Sequence, residues 1–202
     1  LYAQALTGIE TIARDYDYGV FVCNSMRDKD REYDYLCEMH HRKIRSVILS
    51  TVSTRVDGIR EFIDRGMKVV LLDQRLPGLD CAHVNFDMYR GAGMAVQHLV
   101  TLGHRKIGLA TTPLTRWTRS QILQGYQDAL HQAGIGLDES RVFTSQAEDE
   151  TRLFGGDYDA GVELGEKIAA GHSDITALVI INSITACGVL KVFKTRGIQI
   201  PN

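Results

Sequence analysis

The stretch HLVTLGHRKIGLA, residues 98–110, joins the end of a helical pattern to a short apolar run through a glycine and three basic residues. Gly103 lies where a helix ends in a left-handed residue, a conformation that glycine adopts at little steric cost. His104, Arg105 and Lys106 follow, and basic side chains near a helix C-terminus stabilise it by about 0.3–1 kcal/mol each. An anion site would instead use a helix N-terminus. The stretch is therefore predicted to be a helix stop that feeds a buried strand.

The same unit, a helical pattern followed by a glycine and an apolar run, recurs along the chain. It is found at Gly19, Gly66, Gly134 and Gly197. The apolar runs are continuous, which is typical of parallel strands covered on both faces by helices. We therefore predict an α/β protein with doubly wound parallel sheets, which bind ligands at the carboxyl ends of their strands. The predicted strands are residues 20–23, 47–49, 69–72, 107–110, 142–144 and 177–181, with further helices near residues 30–43 and 160–170.

Composition excludes several classes of protein. The 202 residues include 25 acidic and 23 basic side chains, so the chain lacks the strong positive field typical of nucleic-acid binding. No apolar run approaches the roughly 20 residues of a membrane helix, and no secretory signal is visible. The four cysteines have neither CxxC nor zinc-site spacing, which favours four reduced, mostly buried thiols and a cytoplasmic protein.

Sequence motifs of enzymes are missing from the chain. It contains no GxxxxGK[ST] loop, no GxSxG elbow and no HExxH pair. GAGMAV, starting at Gly91, resembles the start of a dinucleotide fingerprint but lacks the third glycine. His40 and His41 point about 100° apart on a helix and cannot easily share a metal. We expect no catalysis, no cofactor and no metal site.

The two ends and one internal segment predict how the chain is divided. The sequence opens directly on a helical pattern and stops at GIQIPN, where a strand would begin, so we expect a fragment that lacks its first strand and its C-terminal strands. ATTPLTR, residues 110–116, follows a strand with small polar residues and a proline, as a hinge would. This predicts an N-terminal lobe at residues 1–111 and an incomplete C-terminal lobe at residues 112–202.

Residues 84–135 carry a resemblance to a known family. VNFDMYRGAGMAVQHLVTLGHRKIGLATTPLTRWTRSQILQGYQDALHQAGI closely resembles the effector-binding domain of the lac repressor family of bacterial transcription regulators. The resemblance implies a two-lobed fold like that of periplasmic sugar-binding proteins, with a small molecule, here a sugar or sugar-like metabolite, in the cleft between the lobes. It also implies a homodimer that binds operator DNA through an N-terminal headpiece, which is not in this chain.

The same resemblance implies five effector-binding residues. Arg116 matches an arginine that contacts the effector just past the hinge, and its guanidinium suits vicinal hydroxyls or a carboxylate. Thr118 matches a polar contact position. Asp73, which closes the VVLLD strand, matches an acidic position at the cleft, and Asn182 matches the asparagine of the family's ND pair. Tyr2 falls where an aromatic side chain packs against the ligand ring.

The chain departs from the family's pattern at several positions. A second arginine usual in the helix after the hinge is replaced by Ile122, which argues against a phosphate-like or strongly anionic effector. Ser183 replaces the aspartate of the ND pair, and Met88 replaces an asparagine. The far lobe offers Phe154 or Tyr158 as an aromatic contact.

These observations predict the effector-sensing core of a transcription regulator that is not an enzyme. The alternative is the periplasmic sugar-binding component of an ABC transporter, which has the same fold and cleft. The GHRKIG block and the free cysteines favour the regulator. In either case no membrane segment is expected within these residues.

Overall fold

Helices and parallel strands alternate along the chain in the computed structural model, which describes residues 2–51, 53, 56–146, 156–171 and 174–201. The helices are α1 (Tyr2–Asp15), α2 (Lys29–His41), α3 (Val56–Asp64), α4 (Met88–Thr101), α5 (Trp117–Gln132), α6 (Gly156–Gly171) and α7 (Ser183–Thr195). The strands are β1 (Ser46–Leu49), β2 (Lys68–Leu72), β3 (Ala82–Val84), β4 (Ile107–Thr111), β5 (Val142–Thr144) and β6 (Ala177–Ile180). A 3₁₀ turn, Glu139–Arg141, precedes β5.

The strands form two separate parallel sheets. The first has the order β1-β2-β3, and the second has the order β5-β4-β6. Every neighbouring pair is parallel, with Val69 opposite Val47 in the first sheet and Leu109 opposite both Val142 and Val179 in the second. The predicted two-unit α/β architecture is confirmed.

The second sheet is covered by helices on both faces. Ile107 and Leu109 of β4 belong to a core cluster that includes buried residues of α4 and α5. Ala110 belongs instead to a cluster with buried residues of α6 and α7. All five residues of β4 are buried, as expected of the central strand of a doubly wound sheet.

The first sheet has a buried core on one face. Val69 and Leu71 of β2 pack with buried residues of α2 and α3, among them Phe62. On the opposite face, Ile48 is 49% exposed and Val84 is 60% exposed. Among the described residues, α1 contributes no buried side chain to either face.

Glycine ends four helices in the predicted way. Positive φ angles of 89°, 90°, 67° and 72° occur at Gly66, Gly103, Gly134 and Gly197. The prediction for Gly19 is wrong, because α1 ends earlier and Asp17 takes the left-handed conformation with φ 58°. The Tyr18 amide then donates to the Ala13 carbonyl at 2.9 Å, which closes the helix without a glycine.

Residues 20–23 were expected to form a strand, and this prediction is wrong. The segment belongs to neither sheet, and Phe21 and Val22 are 77% and 63% exposed. An apolar run becomes a strand only where a neighbouring backbone satisfies its N–H and C=O groups. Residues 198–201 likewise form no strand.

The cysteines are free, as predicted, but their burial differs from the expectation. Cys23 and Cys187 are exposed, while Cys37 and Cys81 are half-buried. The prediction of mostly buried thiols is therefore wrong, because two of the cysteines lie on segments or helix faces that no other element covers.

Each of the three basic residues after Gly103 contacts another group of the protein. His104 Nδ1 lies 3.0 Å from the Thr176 hydroxyl, and Arg105 Nη1 donates to the carbonyl of Ala133 at 3.5 Å. Lys106 Nζ lies 3.5 Å from Asp174 Oδ2. Ala133 ends α5, so Arg105 contacts the C-terminal carbonyls of a neighbouring helix and not those of its own. The stretch is structural, as predicted.

The boundary between the units differs from the expected one at residue 111. β4 pairs with β5 and β6, and α4 packs against α5, so both elements belong to the second unit. If each element is assigned to the sheet that it joins or covers, the chain passes from the first unit to the second between β3 and α4. The proline and the small polar residues at 110–116 therefore form a strand-to-helix loop inside the second unit.

Close backbone contact and one buried hydrogen bond fix α5 on its unit. The Tyr126 hydroxyl donates to the Ile107 carbonyl at 2.8 Å, and burial raises the pKa of this phenol to about 12. A Cβ atom on Gly125 would lie 2.1 Å from the Tyr89 carbonyl oxygen of α4. A side chain at Gly125 would therefore push the two helices apart.

We expect Gly125→Ala to lower the free energy of unfolding by about 2–3 kcal/mol, because the added methyl overlaps backbone that cannot rotate away. Gly91→Ala is the matched control in α4, where a Cβ would meet nothing within 4 Å. This control should stabilise the protein by up to about 1 kcal/mol, the difference in helix propensity. Urea unfolding measures both, and equal effects of the two substitutions would contradict the predicted close packing.

Candidate functional site

Buried polar atoms without a hydrogen-bond partner gather at one edge of each sheet. Within the described part of the chain, they lie after the carboxyl ends of β2, β3, β4, β5 and β6. They are Asp73 Oδ1, Asn85 Oδ1, Arg116 Nε, Ser145 Oγ and Thr185 Oγ1. Leaving such an atom unpaired costs about 1–3 kcal/mol, so five at equivalent positions call for an explanation. The carboxyl edge of a parallel sheet is where α/β proteins bind ligands.

Tyr2 and Asp73 are brought together at the edge of the first sheet. The Tyr2 hydroxyl donates to Asp73 Oδ2 at 3.1 Å, and it accepts from the Ser50 hydroxyl at the same distance. Ser50 follows β1 and Asp73 follows β2, so these two hydrogen bonds link α1 to the ends of two adjacent strands. One carboxylate oxygen of Asp73 is thereby held in place, and the other is left as an acceptor.

The backbone of Asp73 is strained. Its φ of 55° lies in the left-handed region, which a residue with a side chain seldom adopts. The Asp73 amide donates to the Val84 carbonyl at 2.9 Å, which continues the ladder between β2 and β3 for one residue. Strained residues of this kind concentrate at functional sites, where the surrounding structure holds them in place.

Arg116 and Thr118 lie at the start of α5 in the second unit. Arg116 is the residue before the first turn, and no side chain caps the helix there. The first turn contains no acidic residue, so its amides and the positive end of the helix dipole lack a negative partner from that turn. Thr118 is 1% exposed, and its hydroxyl accepts from Arg119 Nη1 at 3.5 Å.

Arg119 is a site residue that sequence reasoning missed. Its Nε donates to the Thr112 hydroxyl, which follows β4, at 3.0 Å. Burial lowers the pKa of this guanidinium, and the charges of Arg116 and Arg27 lower it further. Asp157 and Asp73 act in the opposite direction. The signal that could have found it is spacing, because residues three apart lie on one face of a helix.

Charged groups of both units act on Arg119. Arg119 belongs to the second unit, whereas Arg27 and Asp73 belong to the first. The structure places four of the predicted residues at the carboxyl edges of the two sheets, two in each unit. They are Tyr2, Asp73, Arg116 and Thr118.

Asn182 has a structural role at the start of α7. Its Oδ1 accepts from the Thr185 amide at 2.8 Å, which caps the helix, and its Nδ2 donates to Asp157 Oδ2 at 3.3 Å. The side chain connects α6 to α7 next to the unpaired Thr185 hydroxyl. Phe154 lies outside the described residues, and Tyr158 lies in the first turn of α6.

The described residues contain no cluster that suits a metal. No group of three His, Cys, Asp or Glu side chains converges there. None of the helices in that part of the chain is long and apolar enough to cross a membrane. The unpaired polar atoms at the strand ends belong to carboxylate, amide, hydroxyl and guanidinium groups, which can form hydrogen bonds with hydroxyl groups.

Comparison with known proteins assigns the chain to a family. It belongs to the family described as periplasmic binding proteins and sugar-binding domain of the LacI family, which matches residues 1–202. Catabolite control protein A of Priestia megaterium is 27% identical over 202 residues, which cover 100% of this chain and 58% of that protein. The chain thus spans less than two thirds of the length of this relative.

Solved structures share the fold. The transcription regulator CcpA of Lactococcus lactis has a TM-score of 0.84 and 24% identity, with 99% of this chain and 70% of that chain covered. A LacI family transcriptional regulator from Enterococcus faecium with bound ribose has a TM-score of 0.79 and 23% identity over 99% and 69% of the two chains. The resemblance inferred from residues 84–135 is confirmed. The prediction that the chain is not an enzyme agrees with these relatives, which are transcription regulators.

A pair of threonines tests whether the Thr185 hydroxyl is unpaired in the ligand-free protein. Thr185 is fully buried and its hydroxyl has no partner among the described residues, whereas the Thr51 hydroxyl bonds to Glu32 Oε1 at 2.5 Å and to the Ser53 amide at 2.9 Å. Thr185→Val should leave the stability of the ligand-free protein unchanged or raise it by up to about 1 kcal/mol, because no bond is lost. Thr51→Val should cost about 1–3 kcal/mol.

Urea unfolding of the ligand-free protein measures both threonine variants. Equal losses of free energy for Thr185→Val and Thr51→Val would show that the Thr185 hydroxyl is bonded in the folded protein.

Proposed function

We propose that the chain is the effector-sensing core of a bacterial transcription regulator, and that a sugar or sugar-like molecule binds in the cleft between its two units. The observation that carries this proposal is the set of unpaired polar atoms at the carboxyl ends of β2 to β6. A ligand with several hydroxyl groups would pair with donors and acceptors spread over both edges. Family membership supports the same class of ligand.

The chemistry of the cleft residues suits hydroxyl groups. Asp73 offers a carboxylate oxygen that accepts, and Ser145 and Thr185 offer hydroxyls that donate and accept. Arg116 offers a guanidinium fork that donates two parallel hydrogen bonds. The exposed ring of Tyr2 can pack against a sugar face, while its hydroxyl holds Asp73. Asn182 acts through the start of α7, which it caps.

Coupling to DNA follows from the position of the ligand between two units. A molecule that contacts both edges binds more tightly to the arrangement that brings them together, and it shifts the population toward that arrangement by its difference in affinity. In this proposal the protein is a homodimer, and its two subunits transmit the shift to a DNA-binding headpiece outside these 202 residues. The regulator acts in the cytoplasm, where operator DNA is found.

The transporter component remains the second candidate function, because the family description includes periplasmic binding proteins. The curated relatives that the chain matches over nearly its full length are named as regulators, which favours the first candidate. The sequence upstream of residue 1 in the gene separates the two. A helix-turn-helix segment supports the regulator, and a secretory signal supports the transporter.

Arg116→Ala tests the proposed site. We expect the variant to lose the rise in melting temperature that a bound effector produces, because it loses donors at the centre of the cleft. Its ligand-free stability should change by less than about 1 kcal/mol, because Arg116 forms no ion pair among the described residues. A thermal-shift screen of sugars, sugar phosphates, nucleosides and purines finds the ligand.

Arg105→Ala is the control for this screen, because Arg105 precedes β4, at the opposite end of the strand from Arg116, and its guanidinium donates to the Ala133 carbonyl. A full ligand-induced shift in Arg116→Ala would contradict the assignment of Arg116 to the site.

A homodimer is proposed from the surface of α1 and the segment after it. Ile12, Tyr16 and Phe21 are 60%, 72% and 77% exposed, and large apolar side chains clustered in this way mark interaction surfaces. Sedimentation equilibrium of the protein should show a dimer, and Ile12→Asp should weaken it at least about tenfold, because a carboxylate would be buried there. Leu137→Asp, at an apolar residue that is 43% exposed elsewhere, is the control. A dimer that both variants leave unchanged would contradict this surface.

A further inference from the structure

The charges of two other arginines act on Arg119. Arg116 and Arg27 act on the basic side, and Asp157 and Asp73 act on the acidic side. Neither Arg116, Arg119 nor Arg27 forms an ion pair within 4.0 Å among the described residues. Like charges placed together repel, and the two aspartates offset this repulsion without forming a salt bridge.

The acidic groups nearby have other partners. Asp73 Oδ2 accepts from Tyr2, and Asp157 Oδ2 accepts from Asn182. These carboxylates are therefore held by a hydroxyl and an amide donor from other elements of their own units. Among the described residues, neither carboxylate forms a salt bridge with Arg116 or Arg119.

The hydrogen bonds of Arg119 leave part of its guanidinium free. Two neutral hydroxyls, those of Thr112 and Thr118, accept from Nε and Nη1. A guanidinium carries five N–H donors, so the Nη2 side lacks an acceptor in the described residues. A mostly buried cation normally pairs with a carboxylate, since its desolvation is expensive. The missing negative charge is the one a ligand can supply.

The position of Arg116 adds an independent observation. Its Nε is fully buried and unpaired, and the residue precedes the first turn of α5. The amides of that turn have no side-chain cap and no acidic neighbour within the turn. The positive end of a 16-residue helix therefore points to the same place as two guanidinium groups.

We propose that the effector carries an anionic group, a phosphate or a carboxylate, on a hydroxyl-bearing carbon skeleton, and that Arg116 and Arg119 bind this group. The inference rests on the proposed function and narrows its ligand class. It revises the expectation drawn from Ile122, which is 5% exposed and belongs to the core beneath α5. The second arginine of the site is supplied one helical turn earlier, at position 119.

Matched pairs of ligands test this proposal by calorimetric titration of the protein. The pairs are ribose with ribose 5-phosphate, glucose with glucose 6-phosphate, and glucose with gluconate, and inorganic phosphate is titrated alone. We expect an anionic member to bind at least about tenfold more tightly than its neutral parent, with an affinity that falls as NaCl is raised. Comparison of the phosphorylated sugars with gluconate shows whether the site prefers a phosphate or a carboxylate.

Arg119→Gln separates the charge from the hydrogen bonds. This variant should weaken binding of the anionic ligand at least about tenfold more than it weakens binding of the neutral parent. Arg119→Lys keeps the positive charge but loses the fork, so it should recover part of the lost affinity. Arg105→Gln is the control for a general change in surface charge, and it should leave both affinities unchanged.

The outcomes distinguish this inference from the proposed function. The anionic effector would be overturned if the neutral sugar of a pair binds as tightly as its anionic member and Arg119→Gln changes neither affinity. The proposed function as a sugar sensor would then still stand. Inorganic phosphate that binds as tightly as the phosphorylated sugars would overturn the hydroxyl-bearing skeleton. Failure of every neutral and anionic sugar to bind would overturn the proposed function and the inference together.

Discussion

A parallel strand presents its carboxyl end at the same edge of the sheet as its neighbours, and this constraint decides where the functional groups of the protein lie. β4 runs between β5 and β6 with all five residues buried, so the residues after these strands leave the core together. In the first sheet, the residues after β2 and β3 likewise leave the core at one edge. The unpaired polar atoms at five strand ends are a consequence of topology, since one edge of each sheet collects them all.

The core stabilises a site that is costly by itself. Asp73 is held in a left-handed conformation, and Arg119 is largely buried without an ion pair among the described residues. Both are tolerated because neighbouring elements are fixed by close packing. Gly125 lets α5 approach the backbone of α4, and Tyr126 ties the same helix to β4. These contacts hold α5 against α4 and β4.

Patterns that depend on local chemistry could be predicted from the sequence. Glycine stops at Gly66 and Gly103 follow from steric freedom alone, and continuous apolar runs identify the buried strands. Predictions were wrong where the structure of a segment depends on pairing with backbone that is distant in the sequence. Residues 20–23 have the composition of a strand but no paired neighbour, and β4 lies in the second sheet because of its partners and not because of the loop that follows it.

In the candidate site, a sequence motif identifies one arginine, and only the structure identifies the other. Arg116 was found because it occupies a position in a familiar pattern, whereas Arg119 was overlooked because that pattern has its second arginine at position 122. At about 100° per residue, position 119 lies about 60° from position 116 around the helix, and position 122 lies about 120° away. In this chain the more distant position is buried in the core as Ile122, and the nearer one carries the guanidinium. The proposed role of Arg119 places the second arginine of the site one helical turn earlier, while the fold and the first arginine stay in place.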